Sequence, residues 1–549
     1  MIRGGKTAGK TVSDLTAHTG AVGIYAALTF LFVDHGVSII DHLSGQGSDP
    51  FAFVWFFAWL PYAVANHINP FYTHLLWRPL GVSLAWVTAV PALTALLAPV
   101  TLSAGPVVAY NLTILAAPVC SAWAAFFLCW TLTRRYLAAL IGGYLFGFSS
   151  YVMAQDTAAP NLSFAICPPL LALVALARVR GHLSRAACII LATLSLAIQF
   201  FMSIEVAALS LLFGSIAWAL AWMYRADLRA DLLGLVVDVV VIGALLLFLL
   251  SPVLLQMLQT RNMVRLPYPW HLYFTTDLLN VFIPSRENLL GSLWPFARPT
   301  FNGGVQEQDA YLGLPLLGII IAFARSAPQS RWLVTLFALF LIASFGPFLW
   351  IGGWFSTLAL PWLAFSVLPL LNNALPARFA LFVSLAGAVI AALWLANGQP
   401  RNYVWGGLAA LTLMPALHPW QMIPNSKFFA PGKVQAALGP DPQLLILPFA
   451  INGPSSYWQV ENHFGFTQTG GYLGYPPAAM QTYAAVPQLF GNQAGPTFAR
   501  DMATFAIATG TDDVIITPET KPEMTAALAT LHWPTRHVDD VTILTVPHG

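Results

Sequence analysis

Residues 186–224 read AACIILATLSLAIQFFMSIEVAALSLLFGSIAWALAWMY, a mostly apolar run whose only charged residue is Glu205. A helix needs about 20 apolar residues to cross a hydrocarbon core ~30 Å thick. The run is too long for one crossing and divides most naturally into a hairpin turning at Ser203-Ile204-Glu205. Similar segments recur near 19–39, 83–103, 107–132, 136–154, 161–178, 233–257, 311–325, 332–350, 378–397 and 403–418, so the hairpin is one part of a polytopic membrane protein. The composition agrees. Of 549 residues, 58% are hydrophobic and 8% charged, where soluble domains carry about a quarter charged.

Several classes drop out on charge and cysteine usage. The net charge is +2 and there is no basic run, so the chain lacks the electrostatic footprint of a nucleic-acid partner. Cys120, Cys129, Cys167 and Cys188 lie in apolar stretches without CxxC spacing, which reads as small buried hydrophobes rather than a zinc site or disulfide framework. The first 18 residues are polar and basic. The apolar run behind them has no obvious cleavage site, so it reads as a retained first span.

Basic residues choose the crossings. If 83–103 lies at the membrane surface or re-enters, six clusters fall on one side: Arg3/Lys6/Lys10, Arg134/Arg135, Arg178/Arg180/Arg185, Arg225/Arg229, Arg325/Arg331 and Arg401. If 83–103 spans, every cluster after the first moves outside. Pro91 and Pro99 also weaken it as a regular span. The expectation is about 11 transmembrane helices with a cytoplasmic amino terminus, and outer loops 40–106 and 258–310 within a membrane domain 1–418. Segment 351–377 is apolar but rich in Gly, Pro and Trp, which suggests an interfacial or re-entrant piece.

From 419 to 549 the composition shifts. Strands at 444–447, 514–516 and 541–544 alternate with helices near 477–491, 497–509 and 522–533, which predicts a soluble outer α/β domain. It carries no GxGxxG, P-loop or nucleophile elbow and is expected to dock or shape substrate.

Chemistry is sought on the outer face. The first loop runs Gly45-Gln46-Gly47-Ser48-Asp49-Pro50 into the aromatic stretch Phe51–Trp59, which places Asp49 at the membrane–water boundary. A plain helix N-cap is the compatible simpler reading. Asp156 lies in the second outer turn and could face Asp49 across a cavity, or could be a solvated turn residue. A carboxylate such as Glu205 is costly at membrane depth and usually faces a cavity or partner. Asp238 reads as snorkelling to the cytoplasmic interface. Arg261 and Arg265 would share a face on a continuing helix, and with Arg378 they suit a lipid phosphate. The competing reading is interfacial anchoring. His42 and Asn69, in the first loop, are further candidate substrate contacts. His35 and His42 each follow an aspartate. That leaves a divalent metal ion open as a cofactor, but no ligand set is assigned.

The stretches GxGSDP…W…NPF…RPLGVSLAW, LFGFSSYVMAQ and GGYLGYPP, on this layout of loops and spans, resemble a bacterial group within the GT-C integral-membrane glycosyltransferases. That class includes protein O-mannosyltransferases, lipid A aminoarabinose transferases and mycobacterial arabinofuranosyltransferases. The resemblance covers nearly the whole chain. There are two departures: Asp41 and Asp49 replace the adjacent acidic pair of many members, and Asp156 stands where a Gly-His-like pattern is expected.

The resemblance implies transfer of a hexose or pentose, with inversion, from a polyprenyl-phosphate donor to a glycan, lipid or protein acceptor. It places this on the periplasmic face of a bacterial inner membrane, with the carboxy-terminal domain periplasmic. A polyprenyl phosphate needs no general acid to leave. It needs a cation for the phosphate and a base for the acceptor hydroxyl. Asp49 is the candidate base, Asp156 or Glu205 the second carboxylate, and Arg261, Arg265 and Arg378 the phosphate clamps. A secondary transporter or lipid-linked-sugar flippase is the main alternative, and a scaffold protein the third. A transporter predicts internal repeats and midplane ionisable residues, and neither is evident.

Overall fold

The computed structural model describes residues 13–265, 270–294, 301–326, 331–366 and 374–547. Each of the eleven expected crossings holds a helix. Seven of those helices are long and apolar enough to span, or eight if the pair Tyr136–Gly147 and Ser150–Asp156, bent by 45°, is one crossing. The rest are short: Leu314–Ser326, Arg331–Ser344 and Asn402–Thr412 have 13, 14 and 11 residues. At 1.5 Å per residue they fall short of the bilayer core.

The 186–224 run divides at Ser203. This residue takes extended dihedrals (φ −157°, ψ 110°) between Arg185–Met202 and Ile204–Tyr224, and its hydroxyl caps the second helix by accepting from Val206 N. Segment 83–103 forms no continuous helix. A 3-10 turn, Leu84–Trp86, leads to Pro91–Leu96 and Ala98–Ala104. Pro91 and Pro99 each open one of these short helices, where a missing N–H costs nothing. Part of 351–377 pairs as a hairpin, Phe348–Ile351 with Trp354–Ala359; residues 367–373 lie outside the described residues.

Helices Pro106–Thr133 and Tyr136–Gly147 cross closely because glycines face the contact. A Cβ on Gly147 would lie 2.4 Å from the Ala122 backbone nitrogen, and one on Gly143 would lie 2.7 Å from the Ala122 carbonyl oxygen. Small residues at such crossings let backbones approach. The window of Pro376–Asn397 is 83% buried, which makes it a central helix, whereas that of Ala226–Gln259 is 17% buried. On this outer helix Asp238 is fully buried and paired with Arg178 Nε at 2.8 Å and Arg185 Nε at 2.7 Å. The snorkelling expectation is therefore corrected: two arginines of the neighbouring helices neutralise Asp238 in place.

The last part of the chain carries a five-stranded sheet in the order Thr535–Val538, Val541–Thr545, Asp513–Ile516, Gln443–Leu447, Thr467–Gln468. The two central parallel strands are buried at every residue, as expected for strands covered on both faces. The sheet edge is continued by the first outer loop: Gln468 N donates to Leu75 O (2.8 Å), Arg78 N to Gln468 O (3.1 Å) and Trp77 N to Gly470 O (3.1 Å). A second tie pairs His42–Ser44 antiparallel with Trp420–Met422. The two ends of the chain thus build one outer structure.

Candidate active site

Asp49 is placed by glycine. Gly45 (φ +92°) and Gly47 (φ +81°) turn the first loop, and a Cβ on Gly45 would lie 1.9 Å from the Thr157 carbonyl oxygen. The first loop therefore rests directly on the turn that follows Asp156. The helix Asp49–Ala65 starts there with Ser48 at its N-cap, so Asp49 is not the cap. Its Oδ1 instead accepts the Tyr472 hydroxyl at 2.6 Å. Burial raises the Asp49 carboxyl above its ordinary value, opposed by hydrogen bonds from Tyr472 and Gln306 and by the charge of Arg378.

Arg378 sits in the 3-10 turn Pro376–Phe379, leading into Ala380–Asn397. Its guanidinium pairs with Glu205, in the first turn of Ile204–Tyr224, and Leu375 N donates to Glu205 Oε1 at 3.2 Å. The Arg378 Nε–H is buried and meets no acceptor.

Two carboxylates absent from the sequence reading complete the cluster. Glu307 and Asp309 are 8% and 1% exposed and both feel Arg378 electrostatically. Gln155 Nε2 holds their segment by donating to Gln306 O (2.9 Å) and Asp309 Oδ2 (3.3 Å), and Asn280 Oδ1 accepts from Ala310 N (2.9 Å). Burial raises both carboxyls, Asp309 well above its ordinary value. Tyr475 lies within electrostatic reach of Arg378, Glu205 and Glu307. It also lines a shallow, mostly apolar cleft with Trp86, Val87, Met263, Val264 and Pro477. Among the described residues the site therefore joins the Arg378 guanidinium to several carboxylates, and Tyr475 connects this cluster to an apolar cleft.

The other expected residues fall elsewhere. Asp156 ends the helix Ser150–Asp156, fully buried, with no hydrogen-bond partner on either oxygen. It is not a solvated turn residue, because the helix runs through it. Tyr110 lies within electrostatic reach of both Asp156 and Asp49. The spacing argument for Arg261 and Arg265 is corrected: the helix stops at Gln259 and a 3-10 turn, Arg261–Met263, follows, so the two exposed arginines share no helical face. His42 lies on the strand opposite Met422. Asn69 is exposed, and its side chain accepts from Phe71 N at 2.9 Å. His35 and His42 do not converge: His35 Nε2 lies 3.0 Å from His418 O, while Asp34 accepts from Gly36 N and Asp41 from Ser38. Among the described residues no three His, Cys, Asp or Glu side chains group as a metal site.

Sequence could have pointed to Tyr472 and Tyr475, since both lie in the GGYLGYPP stretch. Glu307 and Asp309 carry no local signal beyond acidity in an outer loop.

No family model matches the sequence, and no curated protein matches it. Solved structures do match. The arabinofuranosyltransferase AftD from Mycobacteria aligns over 97% of this chain at 13% identity with a TM-score of 0.53, and a mutant of the same enzyme aligns with a TM-score of 0.58. The chain spans 40% of the length of AftD. ArnT from Cupriavidus metallidurans bound to undecaprenyl phosphate covers 97% of this chain and 98% of its own at 13% identity; its TM-score of 0.47 is too low to decide a fold. With AftD as the informative neighbour, the fold is that of the GT-C membrane glycosyltransferases. The chain is a multi-pass helical membrane protein of that fold.

Proposed function

We propose that this chain is a membrane glycosyltransferase that moves a sugar from a polyprenyl-phosphate donor to an acceptor hydroxyl on the outer, periplasmic face of a bacterial inner membrane. The observation that carries the reading is a mostly buried carboxylate, Asp49, within electrostatic reach of the Arg378 guanidinium, whose Nε–H has no acceptor. Tyr475, within electrostatic reach of Arg378, also lines an apolar cleft.

The chemistry follows from the charges. Asp49 takes the proton from the acceptor hydroxyl as its oxygen bonds to the anomeric carbon. The bond from that carbon to the phosphate oxygen breaks, and the electron pair leaves on the phosphate. Arg378 meets the developing charge with a donor already in place. Attack opposite the leaving group inverts the anomeric centre. Glu205 holds Arg378 rather than acting on the substrate. Arg261 and Arg265 take the anchoring role at the interface. The acceptor is a glycan, lipid or protein hydroxyl.

The reading is tested by transfer of radiolabelled sugar from polyprenyl phosphate to membrane lipid or glycan fractions. Asp49→Asn, with the fold intact, is expected to lower transfer by about 100-fold or more. Equal transfer by both proteins would remove Asp49 as the base, and no transfer from any donor would sink the assignment.

A further inference from the structure

The segment Gly470–Pro477 crosses the site under tight steric control. A Cβ on Gly470 would lie 2.2 Å from Phe449 Cε2. One on Gly471 (φ +116°) would lie 2.3 Å from Leu76 Cδ2, and one on Gly474 (φ +131°) 3.0 Å from Val87 Cγ1. Two of these three glycines thus press on the first outer loop and the third on the sheet side. Polar ties fix the segment and its exit: Ser456 Oγ donates to Tyr472 O (3.1 Å), Ala478 N to Met263 O (2.8 Å) and Gln481 Nε2 to Arg265 O (2.9 Å). The result is a strap laid from the sheet, over Asp49, to the outer end of the 229–259 helix.

We propose that Tyr472 is a positioning residue for the Asp49 base, delivered by this glycine-built strap, so that the carboxy-terminal part of the chain completes the catalytic group. The proposal rests on the glycosyltransferase reading. The 2.6 Å separation of the Tyr472 hydroxyl and Asp49 Oδ1 is that of a charge-assisted O–H···O bond. Such a bond fixes the carboxylate plane and holds one of its oxygens.

The groups facing Asp49 are Tyr472 from the strap, Gln306 and Glu307 from the 301–313 segment, Arg378 from the start of the 376–397 helix, and Tyr110 from the 106–133 helix. Tyr472, Gln306 and Arg378 favour the carboxylate, while burial and Glu307 oppose it. Burial and the neighbouring Asp49 push the Tyr472 phenol up, so it stays protonated and donates.

The test uses full-length protein in lipid nanodiscs. Infrared titration with ¹³C-aspartate identifies Asp49 as the carboxyl signal lost in Asp49→Asn. In Tyr472→Phe that signal is expected to titrate about one pH unit higher. 3-Fluorotyrosine at position 472, a stronger donor, should move it the other way. The acid limb of kcat follows both shifts, and kcat at neutral pH drops about tenfold in Tyr472→Phe with donor KM unchanged. An Asp49 titration identical in wild type and Tyr472→Phe overturns the proposal. Absence of transfer by the wild-type protein overturns the glycosyltransferase reading instead, with the titration still deciding whether Tyr472 controls Asp49.

Discussion

Arg378 has a neighbour for each of its needs except one. Glu205 balances its charge, the turn after Pro376 fixes its position, and its Nε–H is left without an acceptor. A planar fork presents donors that a flexible ammonium cannot. Arg378→Lys should therefore raise the donor KM by about tenfold or more, equivalent to roughly 1.4 kcal/mol, in a transfer assay over donor concentration. Glu205→Gln keeps an acceptor for the guanidinium and should cost less activity than Asp49→Asn; an equal loss would make Glu205 the second catalytic carboxylate. Asp309 makes a separate prediction. Burial holds its folded carboxyl well above the ordinary carboxylate range, so its contribution to stability is full below that range and is lost as pH rises through the folded value. Asp309→Asn should melt at progressively higher temperature than wild type as pH rises above about 4, and a pH-independent difference would contradict this. Asp49, Glu205 and Arg378 were legible as candidates because each is an ionisable residue beside a span. Glu307 and Asp309 were not, because Gln155, far off in sequence, is what brings them in.

Elements follow the same division between local and distant causes. The break of 186–224 at Ser203 and the start of two short helices at Pro91 and Pro99 are written in neighbouring residues, and a local reading reached the first in full. The short helices 314–326, 331–344 and 402–412 sit inside apolar stretches of nearly span length; Pro328, Gly346-Pro347 and Pro415 follow their ends, a local stop signal that a reading by apolar length passes over. At 260–265 the i,i+4 spacing of Arg261 and Arg265 suited a continuing helix, and the chain instead turns toward the exit of the 470–477 strap. Glycine at a helix crossing is legible only once the partner helix is known. Gly147→Leu inserts a side chain where a single Cβ would already lie 2.4 Å from the Ala122 nitrogen. A loss above about 3 kcal/mol, or failure to accumulate, is expected, as measured by thermal unfolding in detergent. A normal melting temperature would mean the two helices separate at little cost.

At the scale of the molecule, the charge asymmetry of short loops and the buried Asp238 with Arg178 and Arg185 mark one face, and the Asp49 cluster marks the other. If the arginine-rich loops are cytoplasmic, an impermeant maleimide should label Thr530→Cys in intact cells after removal of the outer membrane, and His182→Cys only after lysis. The reverse pattern would invert the proposed orientation. The α/β character of the end of the chain was legible in its alternating segments. Its intimacy with the first outer loop was not, since backbone pairing between Leu75–Arg78 and Gln468–Gly470 leaves no mark in either stretch. Tyr472 and Asp49 stand 423 residues apart in the chain. At a synthesis rate of 5–20 residues per second, Asp49 would wait about 20 to 85 s before its partner existed. During that interval the Asp49 carboxylate would sit at the membrane without the phenol that fixes its orientation. On the proposed reading, a chain ending before Tyr472 would carry an unoriented base and transfer sugar slowly.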